Sequence, residues 1–233
     1  MAFLLILVVA WLTPVAVRFR TSRPILLGGL LLVTVAAFVL IARGDIRPDA
    51  VGLVAPTSWL FATVLSIAWT GLMLLATPVA DRIATRFFAQ PPQLGAFRAL
   101  KESRLKLIAG IVFAWIAGGF LEELALRGVV QNETQALLAG LSPPLVATAV
   151  AILAGALGAF VIHLYQGLRA AFIVTQLSLL FGLLFVLGGH TLWTQLLAHG
   201  LYDTIAFIRF ATGTSKYSKF DASDGNKASG ETV

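Results

Sequence analysis

The chain has 233 residues, 58% of them hydrophobic and only 12% charged, with a mean hydropathy of +0.90 and a formal charge of +6. About one quarter of a soluble domain is charged, so this composition excludes an ordinary soluble protein and points to an integral membrane protein. There is no cysteine, which excludes a disulfide framework, a thiolate zinc site and a thiol nucleophile. The basic excess does not read as a nucleic-acid surface, because the charges gather in loops on one side of the apolar segments.

Seven apolar segments follow in order, at 2–17, 24–42, 58–80, 107–130, 144–163, 168–187 and 191–210. Each is near the ~20 residues that cross ~30 Å of hydrocarbon, so the expected fold is all-α, a polytopic transmembrane bundle of about seven spans. The first segment is followed, not preceded, by positive charge (Arg18, Arg20, Arg23), which reads as a retained span rather than a cleaved signal peptide. Arg82, Arg86, Arg98, Lys101, Arg104 and Lys106 lie between spans three and four. Arg169 follows span five, and Lys216, Lys219 and Lys227 lie in the tail. If the spans alternate, all of these fall on one side. The other side has Arg43 and Arg47 offset by Asp45 and Asp49, and a loop at 131–142 without Lys or Arg. The asymmetry predicts an outside N-terminus and a cytoplasmic C-terminus.

Three regions are expected. Residues 1–106 hold the N-terminal spans and a basic cytoplasmic loop. In that loop Gln90-Pro91-Pro92-Gln93 is a break, and 94–106 reads either as an amphipathic helix on an anionic leaflet or as a solvated loop. Residues 107–210 hold the chemistry. Residues 211–233, rich in Ser, Gly, Asp and Lys, are expected to be a disordered polar tail.

Within span four, residues 120–128 read FLEELALRG. Each ionisable residue in a span costs at least ~2.5–3.5 kcal/mol on insertion scales, so Glu122, Glu123 and Arg127 need a reason. Glu123 and Arg127 are four apart and can pair. Glu122 lies about 100° around the helix, with no local cation. His163, in Phe160-Val161-Ile162-His163-Leu164-Tyr165-Gln166-Gly167, and His199-x-x-x-Asp203 are the other polar groups in apolar context. His199 and Asp203 share one helical face, where the carboxylate can fix the imidazole tautomer. His190, in Gly188-Gly189-His190, reads as a loop residue. One free carboxylate and two histidines suffice to activate a water directly, or through a metal held by Glu122, His163 and His199.

The order E-E-x-x-x-R, then histidine followed by Leu-Tyr-Gln-Gly, then H-x-x-x-D resembles the CPBP family of type II CAAX prenyl proteases and bacteriocin-processing or self-immunity membrane proteins. The resemblance spans roughly 107–210 and includes the Gly-x-x-Leu-Trp approach at 189–193. It implies an intramembrane endopeptidase acting on a membrane protein or peptide. In it Glu122 and His163 activate water, His199 and Asp203 steady the oxyanion, and Glu123 and Arg127 are structural. Two positions depart from the pattern. Ala159 stands where the family has Phe four residues before the histidine, with Phe160 beside it. Asp203 stands where prenyl proteases have Asn, which argues against a prenylated substrate because Asp donates to an oxyanion only when protonated. No obligatory cofactor is expected. Zinc on Glu122, His163 and His199 remains the metal-dependent alternative.

A non-catalytic self-immunity or scaffold protein of the same family is the second reading. A proton-coupled transporter ranks last, since no inverted repeats or matched broken helices are visible. A bacterial plasma membrane is the expected location. Straight spans set one difficulty. Glu122 lies about 24 Å along a helix starting at Lys106, and His163 about 28 Å back along one starting at Pro144, which keeps them apart in depth unless a helix is broken, tilted or starts outside the bilayer.

Overall fold

A computed structural model describes residues 1–18 and 23–219; the rest of the tail, 220–233, and Arg20 lie outside the described residues. Among the described residues the secondary structure is helical, without strands. Seven long helices form the bundle: α1 Ala2–Arg18, α2 Arg23–Ala42, α3 Trp59–Phe87, α4 Arg104–Leu138, α5 Pro144–Ile162, α6 Leu168–Leu187 and α7 Leu192–Ala211. Five of them, α2 to α6, are long and apolar enough to cross a membrane. The other two are α1, with 17 residues, and α7, which carries His199, Asp203 and Arg209. Large apolar side chains face outward, with Leu60, Leu75, Leu105 and Leu145 each more than 70% exposed. Only lipid makes such a surface favourable.

Helix α4 is the axis. It packs against α1, α2, α5, α6 and α7. Its 35 residues rise up to about 52 Å, well beyond the ~30 Å of hydrocarbon, so it extends past the apolar layer. Ser103 caps its first turn by accepting from the Lys106 N–H at 3.2 Å. Its middle is not regular. Residues Trp115–Glu122 and Leu124–Gln131 wind as π-helical turns, which widen the helix and occur often at functional sites. The acidic pair sits at the junction between them.

Small residues set how closely the helices approach. A side chain at Gly200 of α7 would meet the Trp115 ring at 2.4 Å, and one at Gly119 would meet Leu196 at 3.1 Å, so α4 and α7 touch through glycine. Gly155 and Gly158 of α5 do the same against Leu126. Two apolar clusters flank the axis. One joins α1, α2 and α4 around Leu4, Val8, Val33 and Leu124. The other joins α3, α6 and α7 around Met73, Leu177 and Leu184.

The basic loop differs from both of its expected forms. Gly95–Lys101 is a short 3₁₀ helix whose apolar side faces the protein. Phe97 packs on Phe207 of α7 with ring centroids 5.4 Å apart, and Leu100 is buried beside Gly110. Residues 212–219 also depart from the disordered tail that composition suggests. They turn back from α7 and end in a 3₁₀ helix at Lys216–Lys219, with Lys101 Nζ donating to the Ser218 carbonyl at 2.8 Å. At the other end of the bundle Arg43 pairs with Asp45 at 2.9 Å and Arg47 with Asp49 at 2.7 Å, neutralising that loop locally.

Candidate active site

Glu122 and Glu123 are adjacent, yet they face different environments. Glu123 is fully buried. Its Oε2 lies 3.2 Å from Arg127 Nε, a charge contact whose N–H direction falls short of a hydrogen bond. Its Oε1 accepts from His199 Nδ1 at 2.8 Å. Arg127 in turn donates through Nη2 to the Ser178 hydroxyl at 2.9 Å and lies 5.8 Å from the Phe181 ring centre. The burial of this cation and carboxylate is tolerable only because each has the other. Glu122 is partly exposed and has no hydrogen bond or ion pair among the described residues. It opens into a cavity of about 590 Å³.

That cavity is also lined by His163, His199 and Asp203. The structure therefore brings together all four residues singled out from the sequence, despite the depths that straight spans imply. The reconciliation is local. Glu122 sits in the π-helical middle of α4, and α5 stops at Ile162 so that His163 is its C-cap, with φ −98° and ψ 2°. The chain then turns through Leu164–Gln166. Gly167 takes φ +88°, a left-handed value that favours glycine, and begins α6.

Each histidine has its tautomer set by a different partner. His163 Nδ1 lies 2.9 Å from the Ala159 carbonyl. A carbonyl only accepts, so Nδ1 carries the proton and Nε2 is the basic nitrogen of the neutral ring. Because the partner is backbone, the loss of Phe at position 159 does not disturb it. The His163 ring stacks on Tyr165 at 6.3 Å. His199 stacks on Phe181 at 4.7 Å, and its Nδ1–H is committed to Glu123. Asp203, the expected orienting partner, sits instead at the other nitrogen, with Oδ2 3.6 Å from Nε2. The orienting carboxylate is thus Glu123, a residue expected to be structural. Spacing along one helix could not show it, because the contact joins α4 to α7.

Gly118 completes the wall. A side chain there would lie 3.1 Å from Asp203 Oδ2 and 3.2 Å from His199 Nε2. Gly118→Ala is therefore expected to push both groups aside by a few tenths of an ångström. Stability should change little, while kcat falls by up to about 10²-fold, the cost of misplacing reacting groups. Unchanged kcat in that variant would remove Asp203 and His199 Nε2 from the chemistry.

His190 takes no part in this cavity. It lies in the α6–α7 loop with φ +60°, its ring edge-on to Phe185 at 5.2 Å. Partial burial holds its imidazole below the ordinary histidine value, so the ring is neutral. For zinc, the donors do not group. Among the described residues no three His, Asp or Glu side chains gather closely enough to hold one metal ion. Glu122, His163 and His199 share a cavity without forming a three-donor set, and the chemistry is derived from the side chains themselves.

No curated protein and no solved structure matches the chain. The model of the type II CAAX prenyl endopeptidase Rce1-like family matches residues 104–205. That range opens at the first residue of α4, closes just past Asp203, and contains every residue of the site described above. The segment that builds the cavity is thus the part of the chain that is similar to the Rce1-like type II CAAX prenyl endopeptidases.

Proposed function

We propose that the protein is an intramembrane endopeptidase that hydrolyses a peptide bond of a membrane-associated protein or peptide, with Glu122 as general base. The observation that carries this reading is the convergence of Glu122, His163, His199 and Asp203 from two helices and one helix cap on a single cavity, with Glu122 in no hydrogen bond or ion pair among the described residues. A carboxylate that is neither paired nor hydrogen-bonded retains its capacity to take a proton.

Glu122 and the basic Nε2 of His163 position a water molecule, and Glu122 takes its proton. The hydroxide attacks the scissile carbonyl carbon, and the carbonyl oxygen becomes an oxyanion. His199 works as an imidazolium. Its Nδ1–H is held by Glu123, and a proton on Nε2, beside Asp203, is offered to that oxyanion. The carboxylic acid on Glu122 then protonates the leaving nitrogen, the C–N bond breaks, and the products are a carboxylic acid and an amine. Asp203 sustains the charge on His199 rather than donating to the oxyanion itself, which answers the absence of Asn at that position. Loop charge supports a plasma-membrane orientation with the C-terminus in the cytoplasm.

Purified protein in detergent, offered a panel of quenched membrane-peptide substrates, tests this. Wild-type protein is expected to cut. His163→Ala is expected to lose about 10²-fold or more in kcat, and a strong chelator is expected to change nothing. Cleavage by His163→Ala at the wild-type rate counts against the proposed water site. Loss on chelation with recovery on zinc replaces the glutamate–histidine mechanism by a metal-dependent one.

A further inference from the structure

Residues of the C-terminal segment also form part of the cavity wall. Thr214, Ser215, Lys216 and Tyr217 line the same cavity as Glu122 and His199. The segment is anchored at its start, where the Ser215 N–H donates to the Arg209 carbonyl at 2.9 Å, and near its end, where the Ser218 hydroxyl donates to the Phe210 carbonyl at 2.9 Å. Between these anchors Lys216 Nζ donates to Asp81 of α3. Asp81 is buried and also accepts from Arg169 Nε at 3.0 Å and Nη2 at 2.8 Å. Lys216 is half exposed, with 50% of its side-chain surface free.

This arrangement favours release. If Lys216 leaves, Asp81 keeps both Arg169 donors on its Oδ1, so the buried carboxylate still has a cation, and Lys216 returns to water. A buried carboxylate held by Lys216 alone would resist that separation. Burial, and next the charge of Asp81, raise the Tyr217 hydroxyl above the ordinary tyrosine range, so it is a neutral phenol that can leave its site without carrying charge.

We propose that residues 214–217 are a releasable strap across the mouth of the active-site cavity, latched by Lys216 on Asp81, and that opening the latch admits substrate to Glu122. The regulatory role rests on reading this cavity as the proteolytic site. The strap itself is tested without relying on proteolysis. Because the chain has no cysteine, a single Ala206→Cys change puts one thiol in the cavity wall. In a Glu122→Gln background, its rate of labelling by a water-soluble maleimide reports access alone. Lys216→Ala is expected to speed labelling by roughly two- to five-fold, the range that a partly exposed ion pair accounts for. Tyr217→Ala, which removes the ring lining the mouth, is expected to speed it as well. Lys219→Ala removes the same charge from a residue that does not line the cavity, and is expected to leave the rate unchanged. Equal labelling in all four proteins overturns the strap and makes the segment a fixed wall, whether or not the wild-type protein is later found to cleave peptides.

Discussion

Glu122→Gln is expected to slow peptide cleavage by about 10²–10⁴-fold, the contribution of a positioned general base, while the protein inserts and unfolds like wild type. The contrast with neighbouring residues makes this the sharpest test of the site. Glu122 is partly exposed to the cavity and has no hydrogen bond or ion pair among the described residues, so exchanging its carboxylate for an amide of the same shape leaves no hydrogen-bond partner unsatisfied. Glu123, one residue away, touches both Arg127 and His199, and any change there mixes stability with chemistry. Thermal unfolding in detergent alongside initial rates separates the two cases. A Glu122→Gln protein that is unstable, or that still cuts at the wild-type rate, removes Glu122 from the role of base. The KM of the variant should stay close to wild type, because the base acts on water rather than on the bound peptide.

The helices were legible in the sequence because lipid imposes length and apolarity on each segment separately, and every one of the seven apolar runs lies on one of the seven helices. What escaped was everything set by one helix against another. The π-helical middle of α4 has no local periodic signal, so straight α-helical spans give incompatible depths for Glu122 and His163. The partner of His199 was assigned to Asp203 because those two share a helix, whereas Glu123 reaches it from α4. One signal is present in the sequence: Glu123 pairs with Arg127 through one oxygen, and its second buried oxygen can accept from a donor on another span, a role that His199 fills. Composition gives the loop at 94–106 as an amphipathic leaflet helix or solvated loop and the segment after α7 as disordered, but Phe97, Leu100 and Tyr217 in them dock on the protein.

Arg127→Met is expected to destabilise the protein by up to about 3–5 kcal/mol, because it takes from the buried Glu123 the arginine it pairs with and leaves His199 as its one contact. Both residues are almost wholly enclosed, with side-chain exposures of 2% and 1%. Removing the carboxylate as well, in Glu123→Leu/Arg127→Met, is expected to recover most of that loss, since an apolar pair of similar volume often matches or exceeds a buried ion pair. Recovery should fall short by about 1–3 kcal/mol, the cost of leaving the buried Nδ1–H of His199 without an acceptor. The double variant is nevertheless expected to remain inactive, down by about 10²–10⁴-fold, because His199 without its orienting carboxylate loses the partner that supports its charge and fixes its direction. Unfolding in mixed micelles gives the stability of the three proteins, and peptide cleavage gives their rates. A folded double variant with wild-type turnover makes Glu123 and Arg127 a structural pair only. A folded, inactive one assigns to Glu123 the positioning of His199, and explains why two glutamates stand side by side in a membrane helix: one is held for the chemistry of water, the other for the histidine that meets the product of that chemistry.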